Sequence, residues 1–112
     1  MKIIKKSHEK FIREDAHNGS GGRKLLLSEN EINNIQGMTY GFLPANAKFE
    51  WHTHEKINEI MFVLKGQGTV KDEDGIYPYS VGDVFIFPGG IFHEIENTSE
   101  EEHEYIFVRV YE

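Results

Sequence analysis

Residues 50–60, EWHTHEKINEI, place His52 and His54 two positions apart and Glu59 five positions after the second histidine. Imidazole nitrogens and a carboxylate are the donors that hold a transition metal. Side chains two apart on a strand leave it on the same face, so the two rings could reach one ion. Glu59 is out of phase with them by one residue, so the stretch EKIN has to bend or bulge before the next strand can bring the carboxylate to the same side. Glu59, Met61 and Val63 would then share one face.

The elements that must position these residues read as strands. From Gln36 onward the chain runs QGMTYGFL, AKFEWHTH, NEIMFVLKG, TVKDED, GIYPYS, DVFIFP, HEIEN and EYIFVRVY, punctuated by Gly, Pro, Asn and Asp. Eight short strands predict an all-β sandwich or barrel. The Asp-Gly pair in residues 72–75 suits a tight hairpin, and Pro78 confines its strand to an edge or a bulge because proline cannot donate to a ladder. Both faces of NEIMFVL are apolar, which implies a double-layered sheet, with any apolar outer face left over covered by a second subunit. Upstream, residues 1–35 form an N-terminal strand and loop segment. Within it AHNGSGGRK (16–24) is expected to be a mobile or loosely packed loop because its glycines and asparagine make extended order costly; neither flank suits a phosphate cradle. LSENEIN (27–33), beginning near Ser28, is expected to form a helical turn or two on a Ser28–Glu31 capping box.

A chain of 112 residues is predicted to make one domain, residues 1–112. Its formal net charge of −7 repels phosphate backbones and anionic lipid, so neither nucleic acid nor a membrane is an expected partner. With no cysteine there is neither a disulfide framework nor a thiolate metal site. The basic start MKIIKKSHEKFIRED lacks the apolar run of a signal peptide, and a cytoplasmic location is expected.

HTHEKINEIMFVLKG resembles the first motif of the cupin superfamily, through His52, His54, Glu59 and Gly66, in a stretch spanning about residues 46–66. GDVFIFPGGIFHEIEN, residues 82–97, resembles the second, through Gly82, Pro88, Gly90, His93 and Asn97. One departure is Asn46, where the pattern has glycine; asparagine also tolerates a left-handed turn. The resemblance implies a double-stranded β-helix barrel, jelly-roll-like, of two antiparallel sheets. It also implies a homodimer, and one divalent metal bound by His52, His54, Glu59 and His93. Three neutral imidazoles and a carboxylate suit Fe, Mn, Ni, Cu or Zn and match calcium or magnesium poorly. A barrel that keeps the motif without metal, and a closed structural zinc, are the competing readings; the second usually draws on cysteine. His8, His17 and His103 lie in polar surroundings and are expected to be solvated.

Four protein ligands on an octahedral ion leave two positions for water, dioxygen or a bidentate small molecule. The ion and its ligands would carry a net charge of about +1, attracting an anion locally despite the acidic surface. The expected function is therefore that of a metal-dependent enzyme oxygenating, decarboxylating or isomerising a small polar organic molecule. The alternative is a module that binds or senses a sugar or organic acid without chemistry. Candidates for proton transfer or substrate anchoring are Tyr40, Tyr105 and Arg109, the last able to clamp a carboxylate. Trp51, Phe85, Phe87 and Phe92 are expected to serve barrel and interface packing rather than to form a binding box.

Overall fold

The computed structural model describes residues 2–16 and 19–112. After a 3-10 turn at His8–Lys10 come ten strands: β1 (Glu14–Ala16), β2 (Gly21–Leu27), β3 (Ile35–Leu43), β4 (Ala47–His52), β5 (Ile57–Lys65), β6 (Gly68–Lys71), β7 (Ile76–Tyr79), β8 (Val84–Phe87), β9 (His93–Asn97) and β10 (His103–Tyr111). They form two antiparallel sheets, ordered β1-β2-β3-β10-β5-β8 and β4-β9-β6-β7. The fold is all-β, as the strand and turn spacing predicts. Among the described residues no helix is long and apolar enough to cross a membrane.

The inner faces meet around Leu43, Phe49, Met61, Val63, Val70, Tyr79, Phe87, Ile95, Tyr105 and Phe107. Each fully buried aliphatic or aromatic side chain contributes about 1.5–3 kcal/mol relative to its exposed state, so this cluster is what joins the sheets. The strand carrying Pro78 is β7, at an edge of the four-stranded sheet. Its hairpin to β6 turns at residues 72–75, where the Asp72 carboxylate accepts the backbone N–H groups of Asp74 (2.9 Å) and Gly75 (3.0 Å). Asn46 has φ 55°, so this asparagine does take the left-handed turn that the family pattern assigns to glycine.

Three local expectations need correction. The stretch 16–24 is largely not a loose loop: β1 ends at Ala16 and β2 begins at Gly21, while His17 and Asn18 lie outside the described residues. Gly21 is buried, and a Cβ there would lie 2.3 Å from the Phe49 ring and 2.8 Å from the Phe42 carbonyl oxygen. Glycine is therefore required at this position by close packing between the sheets rather than by flexibility.

The expected helical turn after Ser28 is instead a run of turns and bends. Glu31 accepts the backbone N–H of Ser28 (2.6 Å) as a capping box would, but Asn30 (φ 74°) and Asn34 (φ 69°) turn left-handed and prevent a helix from propagating. His103, expected in solvent, is only 2% exposed; it hydrogen-bonds Tyr79 Oη through Nδ1 (2.6 Å) and Ser99 Oγ through Nε2 (3.0 Å).

Candidate metal centre

The two sheets bring their histidines and glutamate together at one end of the core. In the four-stranded sheet His52 at the end of β4 is in register with His93 at the start of β9. In the six-stranded sheet Glu59 on β5 lies between Phe87 of β8 and Arg109 of β10. The half-turn that the phase of Glu59 demands is made at Lys56, whose φ is 60°, and β5 then starts at Ile57. His54 does not share a strand with His52, because β4 ends at His52 and the chain has already left the sheet to make that turn.

One donor atom each from His52, Glu59 and His93 lies within 4.8 Å of the others. The His52 and His93 rings are 4.3 Å apart between centroids, and His93 Nε2 stands 3.5 Å from Glu59 Oε1. His54 is one step away: its Nε2 is 3.8 Å from Glu59 Oε2 and its ring 5.3 Å from that of His52. Backbone carbonyls fix the two inner imidazoles, Glu50 O at 2.6 Å from His52 Nδ1 and Ile91 O at 3.2 Å from His93 Nδ1. A carbonyl only accepts, so Nδ1 carries the proton in each ring, and in His93 the Nε2 lone pair is left for a cation. Phe87 stacks on His93 at 3.9 Å and 7°, which sets the plane of that ring.

Burial pushes the His52 and His54 imidazoles below their ordinary range and so favours their neutral form. Burial pulls the Glu59 carboxyl upward, but His93, His54 and Arg109 outweigh it and hold it below the usual carboxylate range. Neutral imidazoles beside an ionised carboxylate are the state that ligates a metal. Two of the three buried side-chain polar atoms without a hydrogen-bond partner among the described residues are Glu59 Oε1 and His93 Nε2. The residues present therefore fit a cation: two acceptors face each other with no donor between them.

Beside the donors opens a cavity of about 410 Å³, with His52, His54, Glu59, Thr39, Gln36 and Arg109 among its walls. Arg109 is not a surface side chain; it is 12% exposed and its Nη1 lies 3.5 Å from Glu59 Oε2. Its Nε donates to Gln36 Oε1 (2.6 Å) and Nη1 to Thr39 Oγ1 (3.4 Å). Sequence reading missed Gln36 and Thr39, since only the register of β3 against β10 brings them to Arg109.

The other two candidates for chemistry are elsewhere. Tyr40 points to the outer face, where its hydroxyl donates to Glu104 and its ring lies 5.2 Å from that of His8 in the N-terminal segment. Tyr105 is fully buried in the core and hydrogen-bonded to the Tyr79 hydroxyl, with burial pushing it far above the ordinary phenol range. Neither tyrosine is among the residues that line the cavity beside the donors. Of the four aromatics expected to pack, Phe87 is core and Phe85 packs against it, whereas Trp51 (43%) and Phe92 (48%) are exposed.

A β-sandwich of this topology, with a histidine–carboxylate cluster between its sheets that could hold a metal ion, has the architecture of a cupin barrel. Residues 40–109 match the cupin domain family (Cupin_2), and the chain belongs to that family. It is 35% identical over 66 residues to an oxalate-binding protein of Thermotoga maritima, a match that covers 59% of this chain and 54% of that protein. The chain thus spans about half the length of that relative. It is 29% identical over 97 residues to an uncharacterized protein, MJ1618, of Methanocaldococcus jannaschii, covering 87% of this chain and 78% of the other. A crystal structure of a protein described as a predicted oxalate decarboxylase, also from Thermotoga maritima, superposes with a TM-score of 0.90 at 26% identity, covering 97% of this chain and all of that one.

Proposed function

We propose that this chain binds one divalent transition metal through His52, Glu59 and His93, with His54 as the fourth ligand, and uses it on a small organic acid as an oxygenating, decarboxylating or isomerising enzyme. The observation that carries the metal is the facing pair of unpartnered acceptors, His93 Nε2 and Glu59 Oε1, 3.5 Å apart in the core. The similarity to an oxalate-binding protein supports an acid as the ligand, and so does the guanidinium of Arg109 in the cavity wall. A bound divalent ion would supply Lewis-acid polarisation and, if iron or manganese, electrons for dioxygen. The chain's own residues hold and orient: backbone carbonyls fix the His52 and His93 imidazoles, and Phe87 stacks on the His93 ring.

A second reading, a module that binds the acid without transforming it, is favoured by two observations. The relative is named for binding, and neither candidate tyrosine faces the cavity. To separate the two readings, the protein is stripped of metal, reloaded with Fe, Mn, Ni, Cu or Zn in turn, and assayed for product against small acids and sugars. Product from any form supports the enzyme. Thermal stabilisation by an acid with no product in all five supports the binding module, and failure of every metal to bind removes both.

A homodimer is part of the same proposal. On the outer face of β5 and β8, Phe62 (39% exposed), Val84 (58%) and Ile86 (68%) form an apolar patch, with Phe62 paired to Val84 and Ile60 to Ile86.

A further inference from the structure

Arg109 is an unusual neighbour for a metal-ligating carboxylate, because a cation held there opposes a second cation. The fold keeps it in place nonetheless. Gln36 Oε1 fixes the Nε edge at 2.6 Å, Thr39 Oγ1 receives Nη1, and glycine at residue 37 leaves room for the Nη2 edge, which a Cβ there would approach within 2.9 Å. Gly37 is directly opposite Arg109 in the β3–β10 register. The guanidinium forms part of the wall of the same cavity as His52, His54 and Glu59.

Its charge changes the electrostatics of the site. Glu59 contributes one negative charge and Arg109 one positive, and the imidazoles none, so a bound divalent ion would leave the site at about +2 rather than the +1 of the ligands alone. The protein as a whole carries −7, so attraction for an anion has to come from this local field. Arg109 also lies within one ion-pair contact, 3.5 Å, of a ligand carboxylate. A molecule reaching from the ion to the guanidinium therefore spans only a few atoms.

From this we infer that Arg109 is a specificity-determining residue that anchors the second anionic group of a short dianionic acid, while Gln36 is the positioning residue that aims it. The inference deepens the acid-binding reading above and rests on it. The ligand class is a compact dicarboxylate, in preference to a monocarboxylate of the same length or a sugar.

The test uses zinc-loaded protein titrated calorimetrically with oxalate and with glycolate, which have the same number of carbons but differ in the second anionic group. Zinc affinity is measured separately by chelator competition. In Arg109→Met, oxalate affinity is expected to fall about tenfold to hundredfold, the range of a charge-assisted hydrogen bond, and glycolate affinity by less than about threefold, with zinc affinity retained or raised. Gln36→Leu, which leaves the cation in place, is expected to shift the oxalate-to-glycolate ratio in the same direction by a smaller factor, and it carries the test if Arg109→Met does not fold. An unchanged ratio in both variants overturns this inference alone. So does a loss of zinc affinity that lowers both acids equally, since Arg109 would then only orient Glu59. If wild-type protein binds zinc but neither acid, the acid-binding reading falls and takes this inference with it.

Discussion

His93 Nε2 and Glu59 Oε1 face each other across 3.5 Å in the core, and among the described residues neither atom has a hydrogen-bond partner. They come from opposite sheets, so the gap is fixed by the packing of the two layers and not by local chain geometry. With the His93 proton on Nδ1 toward the Ile91 carbonyl, both facing atoms are lone-pair donors, and a pair left so costs about 1–3 kcal/mol per group. A cation placed between them turns that cost into ligation.

Metal is accordingly expected to stabilise the fold. At a hundredfold excess over its dissociation constant a ligand adds about 2.7 kcal/mol, roughly 10 °C in Tm for a chain of this size. Glu59→Gln removes the charge while preserving shape, and should lower zinc affinity at least tenfold and abolish most of the metal-induced rise in Tm. Differential scanning fluorimetry with and without zinc checks this; an equal rise in the variant would refute ligation by Glu59.

How much of this was legible in the sequence depends on the range of the interaction. His52, Glu59 and His93 could be found because their spacing is imposed by strands and turns, and the out-of-phase Glu59 even called for the bend seen at Lys56. His54 shared the spacing but not the strand, because the same bend begins before it. Gly21 looked like flexibility because composition does not reveal the Phe49 ring packed against it. His103 looked solvated among glutamates because its partners, Tyr79 and Ser99, are visible only in three dimensions. Arg109 was readable as a candidate to clamp a carboxylate, but its hold on Gln36, 73 positions away, was not.

Gly21→Ala provides a test of that second point. The added methyl would meet the Phe49 ring at 2.3 Å and the backbone oxygen of Phe42 at 2.8 Å, and a backbone atom in a sheet cannot easily give way. Overpacking of this kind costs about 1–3 kcal/mol, read as a lower midpoint in urea unfolding. An unaltered midpoint would mean that β2 is as loosely held as its composition suggests.

The apolar patch on β5 and β8 predicts self-association. Ile86→Asp puts a charge on a side chain that is 68% exposed, so a monomer should lose little stability, within about 0.5 kcal/mol. A dimer that buries this face should instead dissociate. Sedimentation velocity at micromolar concentration separates the outcomes: a wild-type dimer reduced to a monomer by the substitution is expected, and a wild-type monomer excludes the interface.

Acid sensitivity should originate in part at the opposite end of the core, away from the metal donors. Tyr105 has the Tyr79 hydroxyl as its partner and donates to it, Tyr79 donates to His103 Nδ1, and Nε2–H donates to Ser99 Oγ, an order that requires a neutral imidazole. Burial lowers the pKa of His103 from its ordinary 6.5, Glu101 opposes that shift and Lys65 adds to it. Because the folded value lies below the unfolded one, the unfolded chain binds more protons in acid, so this contribution is complete above about pH 6.5 and is lost as the pH falls through the folded value. His103→Gln, which can accept from Tyr79 and donate to Ser99 without titrating, should show a smaller drop in unfolding free energy between pH 7.5 and pH 5 than wild type. His103→Ala should cost about 2–4 kcal/mol at pH 7.5, because it opens a cavity and leaves Tyr79 without its acceptor. Chemical unfolding across that pH range measures both, and parallel curves for wild type and His103→Gln would place the acid-sensitive group elsewhere.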